Sequence, residues 1–172
     1  MKHVILTGFM AAGKSIVGRR LAQRLERAFI DTDFLIEERE GTTIADIFEK
    51  HGEDGFRSVE REVIEGLRPD SPAVIATGGG TFVDEENRRR LKRMGVVVSL
   101  VTSLDTVIER ISRAEGARPL ATADREKLGD LLASRMPAYR MADIIVETDG
   151  LGVEQAVSRV LSMVEPRLRT TE

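Results

Sequence analysis

The sequence predicts a single three-layer α/β domain, with parallel strands in the middle layer and helices on both faces. Two observations predict it. Short β-branched apolar runs alternate with helical stretches from one end of the chain to the other. Those runs are apolar without polar alternation, as strands covered on both faces are. Strands separated by helices pair in parallel through right-handed crossovers, which place helices on both sides of the sheet. No repeat, low-complexity tract or linker divides the 172 residues, so one domain, 1–172, is expected.

In order, Val4-Ile5-Leu6-Thr7 is the first strand, closed by Gly8. Lys14 to Arg27 carries Ile16, Val17, Leu21 and Leu25 at helical spacing. Ala28-Phe29-Ile30 is a second strand ending at Asp31, and Phe34–Arg39, Thr43–Lys50 and Phe56–Leu67 read as three helices. Val74 to Thr77 is a third strand, ended by three glycines. A polar helix, Asp84–Arg93, follows with Asp84 as its N-cap. Val96–Val101 is the most strand-like run, then Asp105–Ser112 is helical. Residues 113–124, polar and holding Gly116 and Pro119, read as a loop, either plain surface or a lid. Arg125–Arg140 is a helix interrupted at Pro137, Ile144–Val146 a last strand, and Val153–Val164 a last helix, with a fraying end from Pro166 to Glu172.

Composition excludes several classes. Apolar residues make up 41%, too many for a disordered chain. No stretch approaches the roughly 18 apolar residues of a membrane span, and no signal peptide is expected ahead of the first strand. Cysteine is absent, which removes disulfides, thiolate metal sites and cysteine nucleophiles. A formal net charge of −3 argues against a nucleic-acid coat. A cytoplasmic protein acting as a monomer is expected. One bias is unexplained at this level: 21 of the 26 basic residues are Arg, the side chain suited to bidentate capture of phosphates and carboxylates.

Gly8-Phe9-Met10-Ala11-Ala12-Gly13-Lys14-Ser15 matches G-x-x-x-x-G-K-[ST] in full, after a buried strand and at the start of a helix. Its glycines turn backbone N–H groups toward phosphate oxygens, where the helix N-terminus adds favourable partial charge. The expected nucleotide-binding set is Gly8, Ala11, Ala12, Gly13, Lys14, Ser15 and Ile16. Lys14 reaches the β- and γ-phosphates and the Ser15 hydroxyl suits Mg²⁺.

The motif alone does not say what receives the phosphate. Asp31-Thr32-Asp33 closes the second strand, where ligand sites of parallel sheets collect. On an extended segment the two carboxylates point the same way, one toward a hydrated metal and the other toward a substrate hydroxyl. The alternative is a solvated pair that caps the helix from Phe34. Arg57 and Glu60, at i,i+3, read on their own as a surface ion pair; the other reading has Glu60 fixing the Arg57 fork to clamp a carboxylate. Gly78-Gly79-Gly80 brings bare backbone to the carboxyl end of the sheet. Arg118 lies in the candidate lid, where it would neutralise charge on the transferring group, and Arg135 and Arg140 stand on a late helix.

Together these motifs resemble shikimate kinases, from Gly8 to about Val146. The resemblance rests on the phosphate loop, Asp31-Thr32-Asp33, Gly52-Glu53 with Phe56-Arg57 and Glu60, Thr77-Gly78-Gly79-Gly80, Arg118-Pro119-Leu120, and Arg135 with Tyr139-Arg140. It implies a three-layer α/β/α P-loop NTPase fold of the nucleoside-monophosphate-kinase type, with a five-stranded parallel sheet. An acceptor-binding segment about 33–60 and a lid about 112–124 go with it. It implies ATP and Mg²⁺ as cofactors, and transfer of the γ-phosphate to the 3-hydroxyl of shikimate. Asp33, Arg57, Gly79, Gly80 and Arg135 would then surround shikimate, with Asp33, Lys14 and Arg118 catalytic. Lys14 and Arg118 would touch the phosphates, Ser15 and Asp31 the metal, and Arg110 the adenine. The competing readings are a kinase for another small hydroxy acid such as gluconate, a nucleotide-dependent switch, and a nucleotide-binding homologue without catalysis.

Overall fold

The computed structural model describes residues 2–115 and 122–169. Five parallel strands form one sheet: β1 (His3–Gly8), β2 (Ala28–Asp31), β3 (Ala73–Ala76), β4 (Gly95–Val101) and β5 (Ile144–Glu147), in the order β2-β3-β1-β4-β5. The helices are α1 (Lys14–Leu25), α2 (Thr32–Glu40), α3 (Ile44–Gly66), α4 (Glu85–Met94), α5 (Leu104–Glu115), α6 (Thr122–Tyr139) and α7 (Val153–Arg169). The first strand in the sequence is thus central, paired with β3 through Val4↔Val74 and with β4 through Val4↔Val96.

The two-residue period of the strands sorts their side chains onto two cores. Val4, Leu6, Val96 and Val98 face Val17 and Leu21 of α1 and Val157, Val160 and Val164 of α7. Ile5, Ile75 and Val97 face the opposite way, onto Ile64, Phe82 and Leu91. Every residue of β1 is buried, which is why the run reads as apolar throughout. Two smaller clusters bear on function. Ile36, Ile47, Phe56 and Val63 fasten α2 to α3. Phe9, Val107 and Tyr139 fasten the loop after β1 to α5 and α6.

The helix boundaries differ from expectation in instructive places. Thr43–Lys50 and Phe56–Leu67 lie in one element, α3, whose axis breaks at Gly52 (φ 66°, ψ −173°). Thr43 and Asp46 form a reciprocal capping box at its start. α5 runs to Glu115 and α6 begins at Thr122, so both ends of the loop expected over 113–124 are helical, and the remainder of that expected loop or lid lies outside the described residues. α7 continues past Pro166 to Arg169, because Leu168 packs on the core beyond it. Asp84 caps α4 as expected, accepting from the Asn87 N–H at 2.9 Å. Among the described residues, no helix is long and apolar enough to cross a membrane.

Candidate active site

Several residues singled out in the sequence collect at the carboxyl ends of β1, β2 and β3. There a cavity of about 480 Å³ is lined by residues of the phosphate loop together with Asp31, Asp33, Thr77 and Gly79. Gly8 ends β1 at φ 142°, and a Cβ there would be driven into the carbonyl oxygen of Leu100. The position therefore tolerates glycine alone. Gly13 caps α1 with no side-chain acceptor, which leaves the first-turn N–H groups of the helix without a capping side chain. The Lys14 ammonium folds back over the loop, donating to the carbonyl oxygens of Gly8 (2.9 Å) and Phe9 (2.8 Å). Burial lowers its pKa to about 8, although Asp33 and Asp31 pull the other way. Ile16, by contrast, is exposed, and Ala12 is buried beneath the loop.

Asp31 and Asp33 do not share an extended segment, because α2 begins at Thr32. Asp31 is its N-cap: one carboxylate oxygen accepts from the Asp33 N–H at 3.1 Å. The other accepts from the Ser15 hydroxyl at 2.8 Å. One oxygen of the side chain therefore caps the helix while the other meets Ser15. Asp33, one residue into the helix, is half-buried, and its pKa is pushed up to about 6 by burial and then by Asp31, against the pull of Lys14. Glu60 and Glu37 add to that rise. A carboxylate so placed is a stronger base than a solvated one.

Arg57 is not a surface residue. Its side chain is 19% exposed, and Glu60, its partner at 2.8 Å, is 1% exposed. The second Glu60 oxygen accepts from the Thr81 hydroxyl at 2.6 Å. Burial works against the Arg57 charge, but Glu60 and Glu53 outweigh it and its pKa is raised. The guanidinium lies flat against Gly80, where a Cβ would occupy its place. Arg135 rests over the Phe9 ring, 5.7 Å from the centroid, beside Gly79. Arg140 is exposed.

Arg110 donates to the Ala11 carbonyl oxygen at 2.8 Å, on the loop's outer side. Arg118 lies outside the described residues. Sequence reasoning assigned no role to Thr32, Thr81 or Tyr139. Thr32 accepts from the Gly78 N–H at 3.2 Å, and Tyr139 donates to the Gly79 carbonyl oxygen at 2.5 Å. Their signal was adjacency: each is next to, or one turn from, a residue already singled out.

A family model described as shikimate kinase matches residues 10–165. The chain belongs to the shikimate kinase family. Its activity is the ATP-dependent phosphorylation of shikimate. A shikimate kinase from Thermus thermophilus is 44% identical over 160 residues, covering 92% of this chain and 87% of its own. One from Thermodesulfovibrio yellowstonii is 39% identical, covering 96% of each chain. The solved structure of a shikimate kinase from Acinetobacter baumannii in complex with shikimate superposes with a TM-score of 0.88 at 39% identity, covering 97% of this chain and 94% of that one. A gluconokinase from Sinorhizobium meliloti, 16% identical with a TM-score of 0.61, shares the fold and no more. The shikimate kinase reading therefore prevails over the gluconate alternative.

Proposed function

We propose that the cavity at the carboxyl end of the sheet carries γ-phosphoryl transfer from ATP to the 3-hydroxyl of shikimate, with Asp33 as the group that orients and deprotonates it. The observation that carries this is the raised, half-buried Asp33 carboxyl in a cavity shared with the phosphate loop. Arg57 and Arg135 are the cationic forks for the shikimate carboxylate, and Gly79 and Gly80 offer the backbone surface beside them. The acceptor-binding segment is then about 33–60, which α2 and α3 hold through their own small core.

On the donor side, phosphate oxygens replace the Gly8 and Phe9 carbonyls as partners of the Lys14 ammonium. Their negative charge raises its pKa again, so the loop binds ATP with Lys14 fully charged. On the family resemblance, Arg110 would serve the adenine and Arg118 the phosphates. The Ser15 hydroxyl and Asp31 carboxylate present two hard oxygen donors 2.8 Å apart. Among the described residues no cluster of three or more acidic, His or Cys side chains makes a protein cage. Such a sparse set fits Mg²⁺, which keeps several waters and takes its other ligands from phosphates. When bound, the ion would neutralise charge on the phosphate oxygens.

The reaction then balances simply. The hydroxyl oxygen forms a bond to the γ-phosphorus as the bond from that phosphorus to the bridging oxygen of ADP breaks. The hydroxyl proton passes to Asp33. Alignment and charge neutralisation are all that the protein must supply. The enzyme is proposed to act as a cytoplasmic monomer, which accords with a core complete within one chain. A coupled ADP-release assay with Mg-ATP tests the reading: release should be fast with shikimate and slow with gluconate or with no acceptor. Equal release with and without shikimate would overturn it.

A further inference from the structure

We infer that Tyr139 is a positioning residue for the acceptor site, acting through the Gly79 carbonyl and Arg135. The inference rests on the proposed shikimate site and deepens it. Gly78-Gly79-Gly80 has no side chains with which to anchor itself, and glycine backbone is the freest in a protein. Each of the three must be held from outside or by its own turn. The Gly78 carbonyl accepts from the Thr81 N–H at 3.3 Å, and the Gly80 carbonyl from the Val83 N–H at 3.0 Å. The carbonyl between them is held by the Tyr139 hydroxyl, from a helix 60 residues away in sequence.

Tyr139 is itself fixed. It is 1% exposed and packs with Phe9 and Val107. Phe9 is also the ring on which the Arg135 guanidinium lies. Arg135 precedes Tyr139 by four residues in α6, so the two share a helix face. The phenol is thus a common support for a phosphate-loop residue, the Gly79 backbone and an acceptor-binding cation. Burial pushes its pKa up to about 12, against Arg135 beside it, so the hydroxyl stays protonated and remains a donor. Without that donor, the half-buried Gly79 carbonyl loses its anchor and the peptide that follows is free to rotate. The surface against which Arg57 lies then becomes mobile.

Tyr139→Phe removes one oxygen and keeps the packing. The expected result is a rise of roughly fivefold in the KM for shikimate, the scale of one neutral hydrogen bond. The kcat and the KM for ATP should stay within about twofold. A lower melting temperature with an unchanged shikimate KM would make Tyr139 a packing residue and overturn the inference. Arg135→Ala separates this from the underlying reading: if it too leaves the shikimate KM unchanged, the acceptor site is wrong. A second measurement needs no substitution. Tyr139 is the one tyrosine in the chain, so protein made with 3-fluorotyrosine carries a single fluorine label. Its ¹⁹F resonance should shift when shikimate saturates the enzyme, and a resonance that does not move overturns the inference.

Discussion

Arginines gather at both ends of the sheet, and the two ends use them in opposite ways. At the amino end, His3, Arg68, Arg90 and Arg93 line about 320 Å³. Arg68 donates to the carbonyl oxygens of Glu65 and Leu67 at 2.6 and 2.8 Å, groups that the end of α3 leaves without helical partners. Arg90 is paired with Glu65 and Glu86, both well exposed. His3 accepts from the Ala73 N–H through Nδ1, and burial lowers its pKa, so it adds no charge. At the carboxyl end, Arg57 is braced by a carboxylate that is itself buried and hydrogen-bonded to Thr81. Surface carboxylates and helix-end carbonyls explain a cation completely. Arg57 also meets the exposed Glu53 at 3.4 Å, but its closer partner is a buried carboxylate, and burying a charged pair is costly; under the proposed function that pair serves the acceptor site.

The largest expected effect lies with Asp33. Asp33→Asn should lower kcat by roughly 10²- to 10⁴-fold, the usual scale of general-base catalysis, while ATP still binds. Unchanged turnover would remove Asp33 from the chemistry. Its pKa of about 6 sets a second test. The reactive form is the carboxylate, so kcat/KM for shikimate should fall as pH drops through about 6. Stability moves the other way. The folded state holds this proton more tightly than the unfolded chain, whose ordinary value is 3.8. Ionised Asp33 therefore costs stability above about pH 6, and the cost disappears below 3.8. The melting temperature of Asp33→Asn should exceed that of the wild type most at pH 8 and converge with it near pH 4. The same difference at both pH values would contradict the burial argument.

Arg57→Ala comes next. Loss of a charge-assisted pair to a substrate carboxylate should raise the shikimate KM by roughly 10- to 100-fold. It also strands Glu60, buried with Thr81 as its remaining partner, and so lowers stability. The double variant Arg57→Ala/Glu60→Gln should recover part of the melting temperature and none of the KM. Recovery of both would mean that Arg57 acts only through folding.

How much of this was legible beforehand follows from range. The phosphate loop, Asp33 and the five strands are local patterns, and local patterns print directly into sequence. The fate of Arg57 was not legible, because the i,i+3 spacing to Glu60 is the same on a surface and in a core. The pair meets Thr81 and Gly80, beyond β3 in the sequence, and contact across that distance has no local signature. Asp31 and Asp33 were read on one extended face because nothing in three residues announces that α2 starts between them. The strand order was not legible either. Alternating strands and helices fix parallel pairing but leave open that β1 sits between β3 and β4.

The smallest effect sharpens the contrast from the other end of the sheet. Arg68→Ala removes two hydrogen bonds to the last carbonyls of α3. Both groups can turn to water in the absence of the guanidinium, so the loss should be about 0.5–1 kcal/mol. In a chain of this size that is a fall of roughly 1–4 °C in melting temperature. Neither KM should change, because Arg68 belongs to the amino end and the chemistry to the carboxyl end. A shift of more than about twofold in either KM, beyond what a lost structural bond explains, would show that the two ends are coupled. Arginines at the amino end would then need a functional account, and partner exposure would no longer separate structural cations from binding ones.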